Sequence, residues 1–304
     1  MLVPFAGCAP GRCAQALPGL QLPHLQRLLG RLGAPVTDAG SAESLSPPHE
    51  RALALALGLP VADGLLPFAA LERPADGQAW AWITPGHWRV GRDDIAMAHP
   101  AELQLDEPAS RALLAAMQPY FAEDGIALDY QSPLRWLARG DLFRTLPTAS
   151  LDRVAGRTIE RWMPAGDAGR PVRRLQQEMQ MLLYTLPLND ERQREGLLPV
   201  NSFWVSGTGA LPAGFTPGPA PRVVQALREV ALVDDGAAWA AAWQQLDAGE
   251  IAALAADLDA GRSVRLTLCG EANSRTWSSA DAGLWRRMGN WLARPSIDGM
   301  LGAL

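Results

Sequence analysis

Leucines at positions 22, 25, 28, 29 and 32 recur at helical spacing, and Pro23 suits a first helical turn. The same period predicts helices over residues 50–57, 105–121, 171–186, 237–245, 250–260 and 284–293. Asp106 is the expected N-cap of the 105–121 helix. Leu175, Met179, Leu182 and Leu183 form the inward face of the 171–186 helix. From Gln78 the period changes. The aromatic stretch AWAWITPGHWRVGRDDIAMA alternates and reads as two strands turned at Pro85-Gly86. Apolar runs at 2–5, 126–130, 134–138 and 264–269 read as further strands, and 223–233 as a helix running into a strand. Residues 33–49, 61–77, 145–169 and 211–221 are rich in turn formers and read as loops.

The β-β-α-β-β order over residues 78–143 predicts a small α+β subdomain. It interrupts an α/β core expected from residues 1–77 and 144–304, a sheet flanked by helices. One segment of that core, residues 186–209, stands out. It joins a charged turn at Asn189, Asp190, Glu191 and Arg192 to an apolar run at Val200, Phe203, Trp204 and Val205. Gly207, Thr208 and Gly209 end it. The expected geometry is a buried strand delivering a flexible loop to a sheet edge, where ligands bind in α/β folds.

Composition narrows the chemistry. The chain has 304 residues, 48% of them hydrophobic, which suffices for a large core. All 27 basic side chains are arginine, so Schiff-base and P-loop lysine chemistry have no lysine to use. A net charge of -5 argues against a general nucleic-acid binder. Cys8, Cys13 and Cys269 are too few and too scattered for a disulfide framework. No apolar stretch reaches the roughly 18 residues of a membrane span. The N-terminus lacks the basic region of a signal peptide. A cytoplasmic location is expected.

Several polar clusters have both a chemical and a structural reading. His87 and His99 lie beside Asp93 and Asp94, but a metal site needs three or four converging ligands, and these are turn positions. His49 could move protons or simply begin a helix, and His24 sits among leucines. Ser206 and Thr208 could be nucleophiles or phosphate donors, or belong to a tight turn; the nucleophile-elbow pattern is absent. Arg135, Arg139, Arg144, Arg153 and Arg157 suit carboxylate or phosphate recognition, or a solvated face neutralising Asp129, Asp141 and Asp152.

Residues 186–209, LPLNDERQREGLLPVNSFWVSGTG, resemble the segment HPVN…R…G…PAN-x-x-W-x-x-G-x-G of the archaeal-type cofactor-independent phosphoglycerate mutases. Asn189, Arg192, Gly196, Pro199, Asn201, Trp204, Gly207 and Gly209 fall in place. Residues 21–32 resemble the helix after that family's first strand, 81–139 its inserted subdomain, and 149–166 one of its loops. The resemblance spans roughly residues 1–215, is closest to the RpfE-type regulatory proteins, and implies an alkaline-phosphatase-like sheet core.

That family uses two divalent metals and a serine nucleophile. An Asp-Gly follows its first strand, where this chain has Phe5-Ala6-Gly7. Its later metal motifs need histidines, and none follows His99. The resemblance therefore implies a metal-free, non-catalytic, regulatory relative without a cofactor. Arg135, Asn189, Arg192, Asn201, Trp204 and Thr208 are its candidate ligand contacts. The expected partner is a small phosphorylated or carboxylate metabolite or another protein, not nucleic acid or membrane. The alternatives are an active mutase or metal-dependent phosphotransferase with a rebuilt site, and a protein interaction module.

Overall fold

The computed structural model describes residues 1–280 and 296–304. The expected 284–293 helix lies outside the described residues. In chain order the strands are Leu2–Val3 (β1), Val36–Asp38 (β2), Ala79–Gly86 (β3), Trp88–Val90 (β4), Ile95–Met97 (β5), Ala127–Ser132 (β6), Arg135–Arg139 (β7), Ser202–Ala210 (β8), Arg265–Cys269 (β9) and Ser274–Ser278 (β10). With the helices between them they make a mixed α/β fold. Two compact units hold these elements: residues 1–56 with 219–304, and residues 57–218. Among the described residues, no helix is long and apolar enough to cross a membrane.

The first unit is built on a sheet of order β1-β9-β10-β2. β1 runs parallel to β9, and the other pairs are antiparallel. β2 and β10 were not expected. All three residues of β2 are exposed, so no alternation marks it. The expected 2–5 strand stops at Val3, because Phe5 turns the chain with φ 56. The leucine helix forms at Pro23–Leu29 with proline in its first turn, and Leu25, Leu28 and Leu29 are buried. The two expected helices at 237–260 form one run, Gly236–Leu246 and Ala252–Asp259, joined by a π-helical turn at Asp247–Ile251. The 223–233 stretch gives only a bridge from Val223 to Leu2 and the helix Arg228–Leu232.

That long run organises the N-terminal segment. Trp239 and Trp243 are fully buried, and their indoles donate to the Phe5 and Ala6 carbonyls at 3.0 and 3.2 Å. At one end, the Asp234 carboxylate accepts from the amides of Arg12 and Cys13, both at 2.9 Å. In its middle, at the π-helical turn, buried Asp247 accepts from the amides of His24 and Leu25 at 3.1 and 2.7 Å. The first amides of a helix have no partner within it, so these two aspartates cap Arg12–Ala16 and Pro23–Leu29 from across the unit.

The second unit has an antiparallel sheet of order β6-β7-β3-β8 and a separate β4–β5 hairpin. Its boundaries differ from the expected 78–143 insert, because β8 pairs with β3 along its length and ties residues 202–210 to this sheet. The expected turn at Pro85-Gly86 is also absent. β3 continues through both residues, opposite Phe203 and Ser202, and the chain turns instead between Val90 and Ile95. β7 pairs with β3 only from Trp80 to Ile83, so at Pro85 no second neighbour requires an amide donor. The helix Glu107–Glu123 starts at Asp106, whose side chain accepts from the Ala109 amide. The charged stretch at 189–192 is part of a helix, Pro187–Arg194, rather than a turn. Residues 145–169 are irregular apart from short turns at Leu151–Val154 and Glu160–Trp162.

Asp247→Ala is expected to lower the unfolding free energy by about 2 kcal/mol in urea denaturation, with Asp247→Asn recovering part of the loss. Asp234 adds a pH dependence. Burial raises its pKa, but the bonds from Cys13 and Arg12 outweigh this and hold it below the ordinary 3.8. Its contribution is therefore complete at neutral pH and is lost as pH falls below about 3.8, through the folded-state value. Asp234→Asn should remove that part of the acid dependence of thermal stability.

Candidate functional site

The 186–209 segment is built from the inside of the second unit outward. β8 continues through Ser206, Gly207, Thr208 and Gly209, so the expected loop at a sheet edge is strand instead. Gly207 has φ 65, and a Cβ there would lie 2.6 Å from Cε3 of Trp82. Gly209 has φ 140, and a Cβ would lie 2.9 Å from Cβ of Pro67. The two glycines thus seat Trp82 and Pro67 against the strand, next to a register shift between Trp80 and Trp82. Between them Thr208 is fully buried. Its hydroxyl lies 2.8 Å from the Leu146 carbonyl, 3.1 Å from the Gly64 carbonyl and 3.0 Å from the Thr148 hydroxyl.

The other motif residues behave alike. Buried Asn189 donates to the carbonyls of Leu183 (2.8 Å) and Val200 (2.7 Å) and accepts from the Val200 amide (2.9 Å). It thereby closes the end of the helix Arg170–Tyr184 onto the approach to β8. Arg192 is buried and donates to the Leu198 and Leu103 carbonyls. Burial lowers its pKa, and Asp106 and Glu195 oppose this. Asn201 accepts from the Trp88 amide at 2.7 Å and donates to the Trp88 carbonyl at 2.9 Å, as a neighbouring strand residue would. Trp204 is buried and donates to the Ala149 carbonyl at 2.9 Å. Five of the six expected ligand contacts therefore bind the protein's own backbone.

Arg135 is the exception. It is exposed at the start of β7, with its guanidinium 5.3 Å from the Trp82 ring centroid and 3.6 Å from Glu72. Trp82 stacks on Phe68 at 6.3 Å and donates to Glu72 at 3.1 Å, and Gln131 also donates to Glu72. The strand alternation pointed to Trp82, whereas nothing in the sequence linked Glu72 or Gln131 to this face. The five loop-bracketing arginines do not act together. Arg153 is buried, with its guanidinium 5.5 Å from the Trp162 ring, while Arg139 is exposed on β7 and Arg144 pairs with Asp141.

The histidines and cysteines have structural settings. His87 Nδ1 lies 2.8 Å from the Pro199 carbonyl. His99 caps the turn Pro100–Leu103. His49 packs 5.1 Å from the Phe5 ring. Among the described residues, no three His, Cys, Asp or Glu side chains gather to hold a metal ion. Cys8, Cys13 and Cys269 are free thiols. Burial pushes the Cys13 thiol up to about 11 and raises Cys8 and Cys269 as well, which keeps all three neutral and weakly nucleophilic.

No family model matches the chain, and no curated protein matches it. Among solved structures, it is similar to the PH0037 protein from Pyrococcus horikoshii, with 12% identity and a TM-score of 0.47, over 98% of this chain and 96% of that one. It is also similar to a cofactor-independent phosphoglycerate mutase from Thermoplasma acidophilum, with 14% identity and a TM-score of 0.34, over 91% and 88% of the two chains.

The backbone role of the motif makes a stability ranking. Asn189→Ala leaves the Val200 amide and carbonyl without their partner and removes one of two donors from the Leu183 carbonyl, and is expected to cost about 2 to 4 kcal/mol. Gly207→Ala is expected to cost at least about 2 kcal/mol, from its backbone angle and its collision with Trp82. Arg135→Ala should stay within about 1 kcal/mol of the parent. Chemical denaturation of the three variants checks the order.

Proposed function

We propose that this protein is a non-catalytic relative of the cofactor-independent phosphoglycerate mutases that acts by binding, in a regulatory role of the RpfE type. One observation carries the reading. In the family resembled, the turn after the first strand supplies a metal-binding aspartate, whereas here it holds Phe5, Ala6 and Gly7. The Phe5 and Ala6 carbonyls are already held by the Trp239 and Trp243 indoles. Two divalent metals do not fit such a turn, which offers no carboxylate and packs two buried aromatic rings beneath its backbone. The alkaline-phosphatase-like scaffold belongs to the same proposal, supported by the spacing from Asn189 to Gly209.

Arg135 is the ligand contact we retain. A guanidinium over an indole is held flat and can offer paired donors to a carboxylate or phosphate. Glu72 at 3.6 Å balances its charge in the free protein, beyond hydrogen-bond distance. An incoming anion can therefore take the donors without first breaking a direct bond to Glu72. The expected ligand is a small phosphorylated or carboxylate metabolite.

With saturating manganese, phosphoglycerate interconversion should stay at the background rate. A thermal-shift screen of phosphorylated and carboxylate metabolites should find a stabilising ligand whose effect is lost in Arg135→Ala. Turnover abolished by a single substitution in the purified protein would overturn the non-catalytic reading.

A further inference from the structure

We propose a second binding site in the second unit, apart from Arg135, that takes a small carboxylate carrying its own hydrogen-bond donors. The site is a cavity of about 380 Å³ whose lining includes Asp76, Gly77, Gly125, Arg139, Asp141 and Arg144. Its volume lies within the range of small-molecule pockets. Arg135 and Arg139 share a face of β7 but stand four residues apart, roughly 13 Å along a strand, so one small ligand does not bridge them.

The polar groups of the cavity divide into used and unused. Arg144 donates through Nε to Asp141 at 3.0 Å and through one terminal nitrogen to the Gly77 carbonyl at 3.1 Å. Its other terminal nitrogen has no partner among the described residues. Asp76 accepts from the Gln78 amide with one oxygen, at 3.0 Å, which leaves the second. Arg139 is exposed and makes no hydrogen bond or ion pair with any described residue. Most other arginines of this unit's sheet face are balanced: Arg73 by Asp129, Arg135 by Glu72 and Arg144 by Asp141. Gly77 and Gly125 line the cavity with backbone alone, which leaves the guanidinium room to meet a ligand edge-on.

These groups select the ligand. Two arginines and two aspartates line the cavity, so its net charge is zero. A phosphate dianion would gain a bidentate contact from Arg139 but face two carboxylates. A monocarboxylate gains the same fork with less repulsion. A hydroxyl or ammonium on the same ligand can then donate to the free oxygen of Asp76. The complement is therefore a small hydroxy or amino carboxylate rather than a phosphate ester.

Titration of the full chain with serine, acetate or inorganic phosphate, followed by amide chemical shifts, tests the site. Serine should shift Gly77, Gly125 and Gly140, which also lines the cavity, together; acetate should bind about tenfold more weakly, and phosphate should leave these amides unmoved. Arg139→Ala should weaken serine at least about tenfold, whereas Arg135→Ala should leave it unchanged. Arg139→Gln serves equally if the alanine variant does not fold. Asp76→Asn should weaken serine and let phosphate in. The proposal is overturned if serine leaves the three amides in place, if phosphate binds the parent more tightly, or if Arg135→Ala rather than the Arg139 variants removes binding. The screen for an Arg135 ligand stands or falls independently of these outcomes.

Discussion

A peptide group that lacks a helix or strand partner needs another, and in both units buried polar side chains supply many of these partners. In the second unit Asn189, Arg192, Asn201, Trp204 and Thr208 each do so for peptides outside their own strand or helix. In the first unit Asp234, Trp239, Trp243 and Asp247 partner six backbone groups of the N-terminal segment, of which the Leu25 amide and the Phe5 and Ala6 carbonyls are bound in buried contacts. An unpaired group of this kind costs about 1 to 3 kcal/mol. The spacing of these residues is therefore held by the fold whether or not any chemistry accompanies it.

This bears on how the family-like motif is understood. Its residues are the types a ligand site would use: amide, guanidinium, indole, hydroxyl and paired glycines. The geometry gives each a structural partner. The motif joins a helix end, a hairpin and the edge strand β8, so packing alone accounts for its residues. The exposed arginines of β7 are under no such demand, and there the surface retains groups free to meet something else.

Much of the fold was legible in the sequence. The leucine helix, the Asp106 cap and the strands at β6, β7 and β9 follow from local period and capping chemistry. What escaped depends on distant partners. β2 has no apolar alternation and exists because β10 is beside it. Pro85 and the positive-φ glycines of β8 look like turn formers, and only the missing neighbour at Pro85 and the bulk of Trp82 and Pro67 make them strand residues. The candidate site depends on distant partners in the same way. Residue type and spacing identified Asn189 and Arg192 as special, but burial decided that they serve the backbone. Arg135 was legible as a candidate contact and Arg139 only as a member of an arginine cluster, but the glutamate beside one and the cavity beside the other come from segments far along the chain.

The aspartate caps also set an order in time. Residues 57–218 are contiguous, so that unit has all its strands once the ribosome has passed Gly218. The helices at Arg12–Ala16 and Pro23–Leu29 must wait for Asp234 and Asp247, more than 200 residues later. Through most of synthesis the N-terminal 56 residues are thus an incomplete half of a unit, with leucine-rich surface and uncapped amides. It is during this interval, rather than in the finished protein, that the chain is most open to aggregation or to a chaperone.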